Sequence, residues 1–266
     1  MTRTRPTIAD LRALKGQKQL TMLRVTTLEE AEAAERAGVD IVSIPPELIL
    51  DPHYRDAAPS LFSMPGENFY EIGTADDFVR WSFRMIKAGA DAVYCSASYA
   101  TIKRMADEAV PVIGHVGLIP SRKTWTGGFK AVGKTADSAL QVFEAVKQLE
   151  AAGAFGAEIE VVPVEVAEAI SQRTSLFMLS MGAGAGCDAQ YLFAEDILGM
   201  NRGHMPRHSK VYRNFAAEYD RLQAERVAAF REYVSDVKSN AYPREKHLVR
   251  MPPNELKAFM AKLDAG

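Results

Sequence analysis

The 266-residue sequence predicts an α/β protein, most economically a (β/α)8 barrel. Short apolar runs alternate with helical patterns in about seven or eight strand–helix units along the whole chain. A glycine follows several of the predicted helices before the next strand begins, at Gly38, Gly89 and Gly153. The length also fits one barrel domain. A doubly wound open sheet is the alternative, but no G-x-G-x-x-G follows the first strand, which weakens the dinucleotide-binding form of that fold.

One strand–helix–strand unit is complete within the first part of the chain. The run L-T-M-L-R-V at 20–25 predicts a strand, and Thr26 and Thr27 offer an N-cap to the helix that follows. Gly38 ends this helix, and D-I-V-S-I at 40–44 predicts the next strand. Two parallel strands joined by a helix form a right-handed crossover.

The third strand is the hardest to place. The proline pair at 45–46 stops the second strand, because proline cannot donate a hydrogen bond to a neighbouring strand. The loop-like segment after it allows the third strand at either 61–64 or 68–72. A helix with apolar residues at helical spacing is predicted at 74–87.

The rest of the chain keeps the same alternation and closes with two helices. A short helix is also predicted near the start, at 7–15. The long amphipathic helix predicted at 214–239 has an apolar face that we expect to close the barrel or to meet another subunit. The other predicted elements are strands at 91–95, 111–118, 157–163 and 176–181, and helices at 98–108, 135–152, 164–173, 190–198 and 253–263.

Composition points to a soluble cytoplasmic protein. We expect a single barrel domain over 1–266, with a helical extension at 1–18 and a tail at 248–266. The formal net charge of −2 gives no indication of a nucleic acid or an acidic membrane as partner. Two cysteines are too few for a disulfide framework and lack zinc-site spacing. No apolar run approaches the ~18 residues of a membrane span.

Two predicted strands each carry a titratable side chain in an otherwise apolar run. His115 interrupts V-P-V-I-G-H-V-G-L-I-P, and Glu160 interrupts A-E-I-E-V-V-P. Parallel α/β enzymes present acids and bases at the ends of buried strands. Each residue alone fits a structural role equally well, as a buried histidine with satisfied hydrogen bonds and as an edge-strand carboxylate.

Further polar residues lie at or just beyond the predicted strand ends. A barrel gathers these ends on one face, so residues far apart in sequence can share a pocket there. For Ser96 and Ser180, a hydrogen bond to loop backbone is the favoured interpretation. Lys130 fits a solvated loop lysine as well as it fits a substrate contact. The candidates for substrate binding are Glu47, Ser96, Lys130 and Ser180.

Two loops complete the candidate site. The G-A-G-A-G run at 182–186 offers backbone amides to an anion, but it lacks the lysine and spacing of a P-loop and is also typical of a tight connection. The R-G-H-M-P-R-H-S-K run at 202–210 fits either an anionic substrate or a basic surface loop. These residues together predict a barrel enzyme acting on a small anionic substrate, without fixing the reaction.

Several motifs, in the same order, resemble the ketopantoate hydroxymethyltransferase family. The resemblance is strong over 110–247 and weaker over 20–96. The motifs that carry it are V-P-V-I-G-H-V-G-L-I-P, G-G-F-K-A-V-G-K, L-E-A-A-G-A, E-V-V-P-V-E-V-A, C-D-A-Q and G-H-M-P-R-H-S-K-V-Y.

The resemblance implies a (β/α)8 barrel of the phosphoenolpyruvate mutase/isocitrate lyase type, usually a multimer. It implies aldol-type transfer of a hydroxymethyl group from methylenetetrahydrofolate to the enolate of 2-oxoisovalerate, with Mg²⁺ holding the oxo acid. Glu160 falls on the family's carboxylate that shuttles the proton at C3 of the substrate, and His115 falls on a histidine that contacts substrate.

The family's metal-binding positions differ in this sequence. The resemblance implies ligands after strands two, three and four, where this chain has Pro45-Pro46-Glu47, then the 63–68 region without an aspartate, then Tyr94-Cys95-Ser96. A pocket lysine becomes Tyr94 and a ligand glutamate becomes Ser96, and we expect both to contact substrate. Magnesium binding of the family's kind is therefore not expected, and only Glu47 or Glu67 could take a ligand's place.

Three hypotheses follow. In the first, the chain is a diverged, metal-independent lyase, aldolase or other enolate enzyme with Glu160 as base. In the second, it performs the unaltered family reaction with Glu47 or Glu67 as a metal ligand. In the third, it is a non-catalytic scaffold or binding subunit. Retention of Glu160 and His115 argues against the third hypothesis. We expect a homo-oligomer that binds a small anionic substrate and neither nucleic acid nor membrane.

Overall fold

The computed structural model describes residues 3–66 and 72–265, and eight parallel strands form its core. The strands are short and mostly buried, as is typical of parallel strands covered on both faces. In chain order they are β1 Leu20–Arg24, β2 Ile41–Ile44, β3 Phe62–Pro65, β4 Val93–Tyr94, β5 Val112–Gly117, β6 Gly156–Glu160, β7 Phe177–Met181 and β8 Ala189–Phe193.

Helices occupy the connections between the strands. Four of them, which begin at residues 28, 75, 99 and 136, follow a threonine or serine whose side-chain oxygen accepts a backbone hydrogen bond, and this bond stabilises the first turn. The helices are α1 Ile8–Leu14, α2 Leu28–Ala37, α3 Pro46–Ile49, α4 Tyr54–Ala57, α5 Ala75–Lys87, α6 Tyr99–Asp107, α7 Lys123–Thr126, α8 Ala136–Ala151, α9 Val164–Ser171, α10 Ala194–Ile197, α11 Phe215–Lys238 and α12 Pro253–Asp264.

The strands form an almost closed barrel. Their spatial order is β3-β2-β1-β8-β7-β6-β5-β4, and neighbouring strands pair in parallel. The ends of this row meet where Gly66 forms a bridge with Tyr94, and where the Asp91 amide donates to the Ser63 carbonyl at 3.0 Å. The predicted (β/α)8 barrel is confirmed.

Two details of the sequence interpretation are settled by the strand pairing. The third strand is β3, in agreement with the 61–64 alternative; the competing segment at 68–72 lies almost wholly outside the described residues. The helix predicted at 190–198 is wrong over most of its length, because Ala189–Phe193 is a strand that pairs with β1. The tertiary pairing with β1 outweighs the local helical pattern, and only Ala194–Ile197 is helical.

The interior of the barrel is apolar towards the amino ends of the strands and polar at their carboxyl ends. Alternate residues of each strand point inward, and Met22, Ile41 and Phe177 belong to the buried apolar cluster of the interior. Two positions further along β1 and β2, the same face carries Arg24 and Ser43. The change from apolar to polar side chains makes the carboxyl end of the barrel the candidate functional site.

Residues 1–213 and 214–266 form two compact units. The second unit contains α11 and α12, and neither helix has a buried residue. The expectation of a single domain over 1–266 stays a prediction. Among the described helices, none combines the length and apolarity needed to cross a membrane.

Candidate active site

Strand β6 delivers two carboxylates to the interior of the barrel. Glu158 and Glu160 are two positions apart, so both side chains leave the same face of the strand. Both residues are buried, with 3% of Glu158 and 8% of Glu160 exposed. Because a buried carboxylate needs charge or hydrogen-bond partners, two of them on one face predict further polar residues beside them.

His115 is the nearest of these partners. It lies opposite Glu158 in the pairing of β5 with β6, and its Nε2 lies 3.1 Å from Glu160 Oε2 and 4.0 Å from Glu158 Oε1. This buried Nε2 makes no aligned hydrogen bond with a described residue, so its contact with Glu160 is electrostatic. A bound ligand can therefore accept a hydrogen bond from Nε2.

The other nitrogen of the imidazole is fixed by Tyr94. The Tyr94 hydroxyl forms a hydrogen bond with His115 Nδ1. This bond orients the ring so that Nε2 faces the two carboxylates. Tyr94, His115 and Glu160 are therefore three titratable groups in contact, one after the other.

Burial and mutual charge set the protonation of the cluster. Burial lowers the pKa of the His115 imidazole, but the negative charges of Glu158 and Glu160 outweigh it, and the pKa is raised above its ordinary value. Burial also raises the pKa of the Glu158 carboxyl, to about 7, against the opposing effect of His115. Near neutral pH the cluster therefore contains groups that both take up and release protons.

The backbone next to Glu160 is strained. Val161 has a φ of 50°, a left-handed conformation that is unfavourable for a β-branched residue. Its amide donates to the Met181 carbonyl at 2.8 Å, and its carbonyl accepts from the Val132 amide at 3.1 Å. Hydrogen bonds to two different segments thus hold the chain in this conformation directly after Glu160.

Close approach of β5 and β6 depends on a glycine. Gly117 has a φ of 84°, and a Cβ at this position would lie 2.4 Å from the Glu160 carbonyl oxygen. The adjacent Leu118 amide donates to the same oxygen at 2.9 Å. Glycine at 117 therefore allows the contact that fixes the backbone of Glu160.

The cluster lies in a cavity of about 1110 Å³. This volume exceeds what a small oxo acid needs and leaves room for a second ligand. The mouth is basic, which favours anionic ligands. The side chains at the mouth include Phe129, Lys130, Lys134, His204, Arg207 and His208.

The structure brings together five of the residues that the sequence proposes for the site. Glu160, His115, Tyr94, Ser96 and Lys130 all line the cavity. Their roles in catalysis and substrate binding stay predictions.

The remaining proposed residues lie elsewhere. Ser180 is fully buried, and its hydroxyl donates to the Gly184 carbonyl at 2.7 Å, so it supports the glycine-rich loop and does not line the cavity. Glu47 lies on α3 and is exposed, because the helix turns it away from the barrel. Glu67 lies outside the described residues.

Sequence reasoning missed several residues of the cavity. Glu158 had a usable signal, because E-I-E places its two carboxylates on one face of a strand. Arg24 is the polar residue that ends β1, and it faces inward with Met22. Ser43 and Tyr191 gave no signal, since their place in the cavity depends on the pairing of β2 and β8 with β1.

One group of side chains in the described part of the chain can share a cation. His115, Glu158 and Glu160 each offer one ligand atom, and these atoms lie within 4.8 Å of one another. The set contains one imidazole nitrogen and two carboxylates, which is typical of transition-metal sites, whereas Mg²⁺ prefers oxygen ligands.

An eight-stranded α/β barrel with a histidine and two carboxylates at the carboxyl end of its strands is typical of a barrel enzyme with acid–base groups in its active site. The sequence profile of ketopantoate hydroxymethyltransferase matches residues 61–245. The chain belongs to the ketopantoate hydroxymethyltransferase family, whose members catalyse aldol-type hydroxymethyl transfer.

Individual relatives agree with this assignment. The chain is 38% identical over 191 residues to the 3-methyl-2-oxobutanoate hydroxymethyltransferase of Nitrosopumilus maritimus, over 71% of this chain and 66% of that protein. It is 31% identical over 283 residues to the enzyme of the same name from Nitratidesulfovibrio vulgaris, over 97% of this chain and 90% of that protein.

A solved structure shows the same fold. The crystal structure of 2,3-dimethylmalate lyase, a PEP mutase/isocitrate lyase superfamily member, aligns with a TM-score of 0.50 and 15% sequence identity. The alignment covers 98% of this chain and 100% of that chain. This likeness shows that the two chains share the barrel fold.

Proposed function

We propose that the protein transfers a hydroxymethyl group to C3 of a 2-oxo acid through an enolate, with Glu160 as the general base. The family relatives act on 3-methyl-2-oxobutanoate, which is 2-oxoisovalerate. The observation that carries the proposal is the contact of His115 Nε2 with Glu160 Oε2 at 3.1 Å, deep in the cavity.

Glu160 is the carboxylate placed to take the C3 proton. It ends β6, directly before the strained Val161, so its backbone is fixed while its side chain faces the cavity. Loss of the C3 proton would leave an enolate, whose C3 would form the new carbon–carbon bond to the methylene carbon of methylenetetrahydrofolate. In the net reaction both carbon–nitrogen bonds of that methylene carbon break, water supplies the hydroxyl group, and tetrahydrofolate is released. A base fixed within hydrogen-bond reach of the reacting carbon contributes about 10²- to 10⁴-fold to the rate.

His115 and Tyr94 support this proton transfer. The raised pKa of His115 favours the protonated imidazole, in which Nε2 can donate to an oxygen of the enolate. Tyr94 holds Nδ1 and fixes the direction of Nε2. The pair thus supplies a fixed electrophile at the end of the cavity where the negative charge develops.

The residues in the described part of the chain do not fit Mg²⁺ at the positions implied by the family. Strand β2 ends at Ile44 and is followed by two prolines, and Glu47 points away from the cavity. Tyr94 at the end of β4 and Ser96 after it offer only hydroxyls. The two carboxylates beside His115 come from β6, and Glu158 is also close enough to Arg24 to be affected by its charge. We therefore propose no step that passes through Mg²⁺.

The basic mouth suits an anionic one-carbon donor such as a methylenetetrahydrofolate. Lys130 and Lys134 provide positive charge there, and Phe129 provides an exposed aromatic ring. Aromatic rings and cations together are suited to a flat heterocycle with carboxylates attached. The donor would enter above the oxo acid, so its one-carbon unit would approach the face of the enolate turned towards the mouth.

Exchange of the C3 proton of 2-oxoisovalerate tests the proposal directly. The purified protein is incubated with the oxo acid in D₂O, with and without EDTA, and loss of the C3 proton signal is followed by NMR. We expect exchange in both samples, since the base and the electrophile are side chains. Metal content is measured in parallel by elemental analysis.

Each other outcome decides between the hypotheses. Exchange that EDTA abolishes would show that a metal is required and would favour the unaltered family reaction. No exchange with any 2-oxo acid of a panel would contradict the proposal and favour another substrate or a binding role. Exchange without hydroxymethyl transfer from methylenetetrahydrofolate would favour a diverged lyase or aldolase.

A further inference from the structure

Arg24 lies in the cavity as a cation without a carboxylate partner among the described residues. Its guanidinium makes one long contact, from Nη1 to Ser43 Oγ at 3.4 Å, and lies 6.0 Å from the centre of the Phe193 ring. Arginine carries five N–H donors and remains charged at all relevant pH values. Most of these donors have no hydrogen-bond partner among the described residues and are available to a ligand in the cavity.

Arg24 is built into the cavity by the strand arrangement. It ends β1 on the inward face, opposite Ser43 of β2 and Phe193 of β8. The side chain is half-buried and lines the same cavity as Glu160. A charged residue at the end of a barrel strand, where the interior changes from apolar to polar, is typical of ligand binding rather than of packing.

The position of Arg24 relative to the base suits a 2-oxo acid. Strand β1 is separated from β6 by β8 and β7, so Arg24 and Glu160 face each other across the barrel mouth. Arg24 is also close enough to lower the pKa of Glu158 by its positive charge. A small substrate can therefore contact the guanidinium at one end and the β6 carboxylates at the other.

We propose that Arg24 binds the carboxylate of the 2-oxo acid and places C3 at Glu160. A guanidinium binds a carboxylate through two parallel N–H···O bonds, which fix both the position and the direction of the substrate. The keto oxygen then lies between Arg24 and the His115 side of the cavity. This inference rests on the proposed function, because it names the residue that selects the substrate class of that reaction.

The proposal is tested by comparing an acid with its neutral counterpart. Binding of 2-oxoisovalerate and of its carboxamide is measured by calorimetry on the wild type, Arg24→Gln and Arg24→Lys. We expect the wild type to prefer the acid, and Arg24→Gln to weaken acid binding about 10- to 100-fold, as expected for loss of a charged hydrogen-bonded pair, without weakening the carboxamide. Arg24→Lys should recover part of the preference for the acid, because lysine retains the positive charge but lacks the two parallel N–H donors of the guanidinium.

The matched control is Arg36→Gln, which removes an exposed arginine on α2 that pairs with Glu32. This variant should bind both compounds as the wild type does. Thermal unfolding of each variant shows whether it folds. If Arg24→Gln folds and keeps the wild-type preference for the acid, the assignment of Arg24 is overturned.

C3 exchange separates this result from failure of the proposed function. Suppose that the wild type exchanges the C3 proton and that Arg24→Gln still prefers the acid to the carboxamide. This result would overturn the role of Arg24 and leave the proposed function in place. Wild-type protein that neither binds nor exchanges the oxo acid overturns the proposed function and the role of Arg24 with it. Addition of methylguanidinium to Arg24→Ala should restore part of the exchange if the guanidinium itself is required.

Discussion

His115 Nε2 lies 3.1 Å from Glu160 Oε2, although the two residues belong to different strands and reach each other only through the pairing of β5 with β6. The contact joins a raised-pKa imidazole to a carboxylate at the bottom of a cavity. Neither side chain contributes to apolar packing there, and the contact restricts the position of both. Most of the expected effects of mutation follow from this pair and from the residues that hold it.

Replacement of the proposed base should abolish exchange without unfolding the protein. Glu160→Gln keeps the size of the side chain and removes the charge, so we expect C3 exchange to fall by about 10²- to 10⁴-fold. The control is Glu165→Gln, an exposed position in the first turn of α9 that does not line the cavity. A Glu160→Gln variant with wild-type exchange would remove Glu160 from the mechanism.

Glu158 should make the stability of the protein depend on pH. Burial raises its pKa from 4.5 to about 7, so its favourable contribution is complete below about pH 4.5 and is lost as pH rises through 7. The raised pKa of His115 acts in the same direction, because its proton is also lost as pH rises. We therefore expect the folded wild type to lose stability between pH 5 and pH 8.

Glu158→Gln isolates this contribution, since glutamine is neutral throughout. The difference in unfolding free energy between the variant and the wild type should shift in favour of the variant as pH rises, by at most about 3 kcal/mol. Denaturant unfolding at several pH values measures it. A difference that does not change between pH 5 and pH 8 would show that Glu158 does not titrate in this range.

Helix α11 should mediate self-association. It carries exposed apolar side chains at near-helical spacing, among them Phe230, of which 69% is exposed, together with Tyr233 and Val237. Such a row is typical of a helix that packs against a partner. Light scattering should give a multimer for the wild type and a smaller species for Phe230→Glu combined with Tyr233→Glu. Glu232→Gln on the same helix is the control, and a monomeric wild type would contradict the expectation.

The sequence predicted the part of the site that interrupts apolar runs. His115 and Glu160 stand out because each is a titratable residue in a buried strand, and their motifs resemble a known family. Tyr94 followed from the same resemblance, whereas Ser96 was already proposed from its place at a predicted strand end. Ser180 lies between Leu179 and Met181, which face the interior, so strand alternation turns it outward. Its hydroxyl donates to the Gly184 carbonyl, in agreement with the favoured interpretation of the sequence.

The cavity residues that the sequence did not predict depend on pairing between strands that are distant in sequence. Arg24 and Tyr191 meet at the cavity only because β8 pairs with β1, and the sequence pattern predicts a helix where β8 lies. Local periodicity could not predict this pairing, since a five-residue strand is too short to distinguish from the first turns of a helix. Once β8 is in place, the inward positions of β1 follow from simple alternation.

Gly117 should be indispensable for the geometry of Glu160. Gly117→Ala places a Cβ 2.4 Å from the Glu160 carbonyl oxygen, which forces β5 and β6 apart, in addition to the cost of a left-handed alanine. Gly38→Ala is a matched control, because Gly38 has a similar φ of 80° and no atom within 4 Å of its Cβ position. It should lose only about 1 kcal/mol of stability.

The two glycine variants separate backbone strain from displacement of the base. We expect Gly117→Ala to lower the thermal midpoint more than Gly38→Ala and also to reduce C3 exchange in the fraction that remains folded, while Gly38→Ala keeps wild-type exchange. Equal losses in stability with unchanged exchange in both would show that the β5–β6 contact does not position Glu160. The comparison thus tests whether the strands hold the base in place, independently of the chemistry assigned to it.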